Sequence, residues 1–105
     1  MKEFVRYKRW KLKDTRQETA LVALVRNDIV PQYRKLEGCI RLGLHQITGT
    51  QSYLALQHWK SRAAWETTTL SDYYTSWLGE YQPMLDQWDR LMEFEDEWEA
   101  EVELV

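Results

Sequence analysis

His58 sits one residue before Trp59 in the run Gln57-His58-Trp59-Lys60-Ser61, and imidazole is the side chain best suited to moving a proton near neutral pH. Tyr7, Trp65, Tyr74, Trp77, Tyr81 and Trp98 supply large side chains with an apolar body and a polar tip. Gathered around His58, they would form an aromatic pocket in which the imidazole takes a proton from a phenolic substrate while Tyr7 holds that substrate's oxygen. His58 and Tyr7 are thus the candidate catalytic pair, and Trp65, Tyr74, Trp77, Tyr81 and Trp98 the candidate substrate pocket. The competing reading makes His58 a buried, hydrogen-bonded structural histidine and the tryptophans ordinary core. Arg9 either favours an anionic ligand at the pocket mouth or is simply solvated. The lone cysteine, Cys39, has no internal disulfide partner and reads better as a small buried apolar residue than as a nucleophile.

No metal is expected. His45 and His58 fall on different expected strands and opposite expected faces, and neither an HxxxH nor a CxxC spacing occurs. A phosphate-cradling glycine loop is also missing.

The chain has 105 residues, the size of one domain, and 44% of them are hydrophobic, enough for one core. A net charge of −3 disfavours general attraction to nucleic acid. No apolar run approaches the roughly 20 residues that cross a bilayer, and the N-terminus has no apolar signal-peptide core. With one cysteine, a reducing, cytoplasmic location fits. The charges are unevenly spread: eleven of the fourteen Lys and Arg lie at or before Arg41, and nine of the seventeen acids lie between Asp86 and Glu103.

Residues 3–12 read as a strand. A helix follows, capped by Asp14 or Thr15 and carrying Ala20, Leu21, Leu24 and Val25 on one stripe. Pro31 predicts a break near Asn27–Val30, and Gly38 a stop. Cys39–Thr48 and Tyr53–Trp59 alternate around a Gly49 turn and predict a hairpin. Ser61 and Ser71 are positioned to cap helices. Tyr74, Leu78, Tyr81, Leu85, Trp88 and Met92 then recur at helical spacing, with a kink expected at Gly79 or Pro83. Trp98, Ala100, Val102 and Leu104 alternate with Glu97, Glu99, Glu101 and Glu103, which is period two and hence a strand.

Strand, helix, strand, strand, helix, strand is the order of a ferredoxin-like α+β fold, βαββαβ, with a four-stranded antiparallel sheet and helices on one face. Its last strand pairs with its first, which sets Arg6 and Lys8 among the glutamates. Tyr7, Ile40, Leu42, Leu44, Leu54, Leu56, His58, Trp98, Val102 and Leu104 are expected to face the helices. Arg6, Lys8, Arg41, His45, Ala55, Gln57, Trp59 and the glutamates are expected on the opposite face, where a second copy would cover them in a sheet-to-sheet homodimer.

Tyr53-Leu54-Ala55-Leu56-Gln57-His58-Trp59-Lys60-Ser61, then Ala63-Ala64-Trp65, Ser71-Asp72-Tyr73-Tyr74 and Trp77-Leu78, resembles the antibiotic biosynthesis monooxygenase family of the dimeric α/β-barrel superfamily. Leu36-Glu37-Gly38-Cys39 is similar to that family's approach to its second strand. The resemblance implies one such domain over residues 1–105, a homodimer whose sheets form a barrel, and a pocket in each subunit between sheet and helices. Some members oxidise aromatic compounds with oxygen and neither metal nor flavin, so the resemblance implies no cofactor. Others degrade haem, but this chain has no Asn on its first strand, Thr68 in place of a Trp, and Leu78 where a His would stand, which disfavours that activity. Two functions stay open: a cofactor-independent monooxygenase acting on a small aromatic or enolisable compound, and a non-catalytic homodimer that binds a small aromatic ligand or serves as an interaction module.

Overall fold

The computed structural model describes residues 1–104; Val105, the last residue of the expected domain, lies outside them. The elements follow the expected order: β1 (Phe4–Leu12), α1 (Glu18–Leu24), α2 (Val30–Tyr33), β2 (Cys39–Gln46), β3 (Ser52–Trp59), α3 (Arg62–Thr69), α4 (Asp72–Leu91) and β4 (Met92–Glu101). The four strands form one antiparallel sheet in the order β2-β3-β1-β4, with the helices on one face. Among the described residues, no helix is long and apolar enough to cross a membrane.

Local chemistry explains most boundaries. Asp14 rather than Thr15 makes the first cap, its Oδ1 accepting from the Arg16 backbone N–H at 2.9 Å. The expected break before Pro31 is a π-helical stretch, Val25–Ile29, that joins α1 to α2 without interruption. Widening the turn relieves the pressure of the proline ring on the carbonyl four residues back. Ser61 caps α3 by accepting from Ala64 N–H at 3.0 Å, and α3 ends on its threonine run. The expected kink in α4 is not a break: the helix runs through both Gly79 and Pro83. Burial of Trp77 and Trp88 along its inner stripe offsets the roughly 3 kcal/mol cost of an interior proline.

The face assignment is corrected for three strands. The registers pair Arg6 with Glu99 and Gln57, and Lys8 with Glu97 and Ala55, so these residues do share a face, as expected. That face, however, is the one the helices cover. Phe4 and Trp59 lie on it, each 1% exposed, in a core cluster with Leu36 and Trp77. Trp10 meets Trp88 of α4 edge-on at 5.4 Å. Leu42 and Leu44 face the helices as expected, because β2 pairs Leu42 with Gln57 and Leu44 with Ala55. Tyr7, Leu54, Leu56, His58, Trp98 and Val102 lie on the far face instead. Ile40 falls at a register shift on β2 and is 45% exposed, and Leu104 lies past β4, 92% exposed. The far face is as apolar as the near one, so period two alone does not say which side the helices take.

Gly38 links α2 to β2 at φ +87, and a Cβ there would come within 3.1 Å of Ala64 Cβ. Gly38→Ala is expected to lower stability by about 1–2 kcal/mol for the left-handed backbone alone, with the contact adding to it. Gly79→Ala, in open space on α4, is expected to raise stability by about 0.5–1 kcal/mol. Urea unfolding of both variants measures the difference.

Candidate functional site

The helix-side core divides into two clusters. One gathers Leu12, Leu21, Leu24, Ile29, Tyr53, Trp88 and Met92; the other holds Phe4, Leu36, Trp59 and Trp77. Between them lies a cavity of about 230 Å³. Its floor is sheet: Arg6 and Lys8 from β1, Leu42 and Leu44 from β2, Ala55 and Gln57 from β3. Tyr33 of α2, Trp65 and Thr69 of α3, and Tyr74, Trp77 and Tyr81 of α4 form the roof. Rings stand at both ends of β1 and β3, Phe4 and Trp59 at one and Trp10 and Tyr53 at the other, whereas Ala55 between them is short, which is why the floor sinks between the clusters.

Tyr74, Trp77 and Tyr81 stand three and four residues apart and so share one face of α4. Trp77 stacks on Tyr74 at 5.3 Å and on Tyr81 at 4.9 Å, and Tyr33 meets it edge-on at 4.9 Å. Its indole N–H donates to the Gln32 carbonyl at 2.7 Å, which satisfies a buried donor and fixes the ring. On the floor, Gln57 is held from both sides. Its amide oxygen accepts from the Trp59 indole at 3.2 Å, and its amide nitrogen donates to the Tyr33 hydroxyl at 3.1 Å. That hydroxyl accepts from Gln57 and shares its own proton with the Tyr81 hydroxyl, so a ligand oxygen entering here competes with Tyr81 for it.

Burial pushes the Tyr33 phenol well above its ordinary range, with Tyr81 and Tyr74 adding to the shift. Tyr81 and Tyr74 are raised by the same cause, the Tyr33 hydrogen bond opposing it at Tyr81 and the charge of Arg6 opposing it at Tyr74. All three are therefore neutral donors at neutral pH. Among the described residues, no His, Cys, Asp or Glu lines the cavity, and no cluster of three or more such residues could hold a metal ion.

Of the residues singled out in the sequence, Trp65, Tyr74, Trp77 and Tyr81 come together in this cavity. His58, Tyr7 and Trp98 do not, because the face inversion carries all three to the other side of the sheet. His58 Nε2 lies 2.7 Å from Glu3 Oε1, and Tyr7 stacks on Trp98 at 5.5 Å. Tyr7 and His58 line an open depression on that face. Arg9 also points there, paired with Asp96 at 2.9 Å, and so is not at the cavity mouth. Arg6, Lys8 and Gln57 line it although they were expected on the opposite face, and Tyr33 and Thr69 were not singled out; Phe4, Arg6 and Trp10 share one alternation on β1 and could have marked its buried side.

Cys39 lies on the helix side next to Trp59 and Tyr33, and burial pushes its thiol up to about 11, a backbone hydrogen bond from Arg41 opposing. Alkylation by iodoacetamide is expected to be very slow at pH 7 and to rise about tenfold per pH unit until the thiol ionises. Fast labelling at neutral pH would contradict this.

The chain was compared with known proteins. No curated protein sequence matches it significantly. Among solved structures it is similar to HapK from Hahella chejuensis, at 19% identity and TM-score 0.67, covering 95% of this chain and 91% of that one. It is also similar to SnoaB, a cofactor-independent oxygenase from Streptomyces nogalater, at 12% identity and TM-score 0.65, covering 100% and 97%. A conserved protein from Methanosarcina mazei Go1 aligns at 14% identity and TM-score 0.63, covering 97% and 92%. At these identities the likeness shows a shared fold. The family model for antibiotic biosynthesis monooxygenases matches residues 4–79, from the first residue of β1 into α4 and so across most of the cavity lining, and the chain belongs to that family.

Proposed function

We propose that this chain is a cofactor-independent monooxygenase acting on a small aromatic or enolisable compound held between the sheet and the helices. Family membership and the SnoaB likeness support the reaction class. The observation that carries the reading is the aromatic cavity of about 230 Å³, whose floor amide, Gln57, orients the Tyr33 hydroxyl at its roof.

His58 and Tyr7 lie outside the cavity, so the substrate's own acidity replaces an imidazole base. An enolisable substrate ionises at carbon in water before it binds, giving its proton to solvent, and its carbanion combines with dioxygen and a proton from solvent to form a hydroperoxide. Loss of water then leaves a carbonyl where a CH2 group stood. The carbon is oxidised, one oxygen atom stays in product and the other leaves as water. Tyr33 donates to the substrate oxygen that carries the negative charge, and Trp65 and Trp77 clamp the ring and exclude water. We further propose that residues 1–105 act as one such domain in a cytoplasmic homodimer, closed through the far face of the sheet. Support for that interface comes from the half-buried Leu54 and Leu56 and from Trp98, which is 41% exposed.

Oxygen-electrode assays over a panel of polyphenols and enolisable polycyclic ketones test the activity. Uptake is expected with at least one compound, to fall at least tenfold in Ala55→Phe, which fills the floor, and to fall about tenfold in Tyr33→Phe, which loses one hydrogen bond to the developing charge. Uptake with no compound would return the chain to a non-catalytic binding module, and uptake unchanged in Ala55→Phe would place the reaction outside this cavity. For the assembly, Leu56→Arg is expected to yield monomer in sedimentation velocity. Glu99→Lys with Glu101→Lys, which lie on the helix side, should leave the dimer intact.

A further inference from the structure

Arg6 and Lys8 are two residues apart on β1, so both point to the helix side, and among the described residues they are the only charged ones that line the cavity. Each has a glutamate opposite it on β4, but β4 is an edge strand and Glu97 and Glu99 stay exposed outside the cavity lining. The cations are inside and their counter-ions are at the rim.

Their pairing is incomplete. Arg6 Nε lies 3.3 Å from Glu99 Oε2, yet the N–H is not aimed at that oxygen, and Nε is buried without a hydrogen-bond acceptor among the described residues. Glu99 is also shared, its other oxygen lying 3.6 Å from Arg62. Lys8 reaches Glu97 only at 3.9 Å. The guanidinium lies over the Trp65 ring, 4.6 Å from its centroid, which holds it in place without using its N–H donors. A partly buried guanidinium with an unused donor, fixed on an aromatic face at the edge of an apolar cavity, is arranged to take an oxyanion.

We infer that the pocket selects a flat aromatic anion, whose carboxylate or ring oxyanion is held by Arg6 while its rings lie among Trp65, Tyr74 and Trp77. This rests on the reading of the cavity as the ligand site but not on any turnover there. Lys8 adds charge on the same floor. Glu99 acts as the resident competitor, holding Arg6 loosely until a ligand arrives. Anion selection matches the absence of a base: a pocket with cations and no proton acceptor takes a compound that arrives already ionised.

Calorimetric titration of the full chain with two matched pairs tests the inference: naphthalene carboxylate against its carboxamide, and dinitrophenolate against its methyl ether. At least one anion is expected to bind tenfold or more tightly than its neutral partner, a difference of ~1.4 kcal/mol, and the pair that discriminates identifies the oxyanion. Arg6→Gln should remove the preference while leaving the neutral probe unchanged. Glu99→Gln, on the exposed rim, should tighten the anion several-fold and not the neutral probe, an effect that loss of packing would not produce. No preference in either pair, no binding at all, or a preference that survives Arg6→Gln would overturn it. If Arg6→Gln fails to fold, an unchanged anion affinity in Glu99→Gln overturns it alone. Discrimination without oxygen uptake would refute the monooxygenase and leave this inference standing.

Discussion

The burial of Trp59 beside Phe4 is the constraint on which the rest of the molecule depends. These two rings are cross-strand partners at one end of the sheet, and both are sealed against Trp77, Leu36 and Trp65 by the helices. A strand alternates strictly, so fixing Trp59 inward fixes Gln57 and Ala55 inward and His58, Leu56 and Leu54 outward. Through the ladders the same choice passes to β1 and β4. Arg6, Lys8, Glu97 and Glu99 are drawn to the helix side, and Tyr7 and Trp98 to the other.

The cavity exists because the packing is good at both ends and deliberately short between them. Large rings on β1 and β3, Phe4 and Trp59 at one end and Trp10 and Tyr53 at the other, hold the helices up. Ala55 beneath them is too short to fill the space, and Gln57 touches the roof only through its amide on the Tyr33 hydroxyl. The stacked ladder on α4 keeps its shape because Trp77 is anchored through its indole and backbone to Gln32. Around such a space, three tyrosines kept protonated by burial and two cations give an interior that is aromatic, proton-donating and positive.

Charge has two roles here. The ladder of Lys2 with Glu103, Arg6 with Glu99, Lys8 with Glu97 and Arg9 with Asp96 joins the basic first strand to the acidic last one. Exposed pairs of this kind contribute about 0.2–1 kcal/mol each, more to register than to stability. Arg9 with Asp96 sits on the far face, while the Arg6 and Lys8 pairs face the helices at the cavity rim. One charge asymmetry in the chain thus both aligns β4 and sets the polarity of the pocket.

The sequence by itself determined the order of elements, the hairpin, the Ser61 cap, the helical stripe from Tyr74 to Trp88 and the pairing of opposite charges. Each of these rests on local spacing or on residues whose backbone chemistry is specific. It also marked Trp65, Tyr74, Trp77 and Tyr81, because helical periodicity needs no knowledge of partners. Only the tertiary structure decided which face of the sheet the helices cover. Leu54, Leu56 and Tyr7 make one face apolar, while Phe4, Trp10 and Trp59 make the other so, and alternation is symmetric under exchange of the two. The balance is tipped by volume: rings of that size at the strand ends fill the space under the helices, whereas leucines would not. That single choice moved His58, Tyr7 and Trp98 out of the pocket and brought Arg6, Lys8, Tyr33 and Gln57 into it.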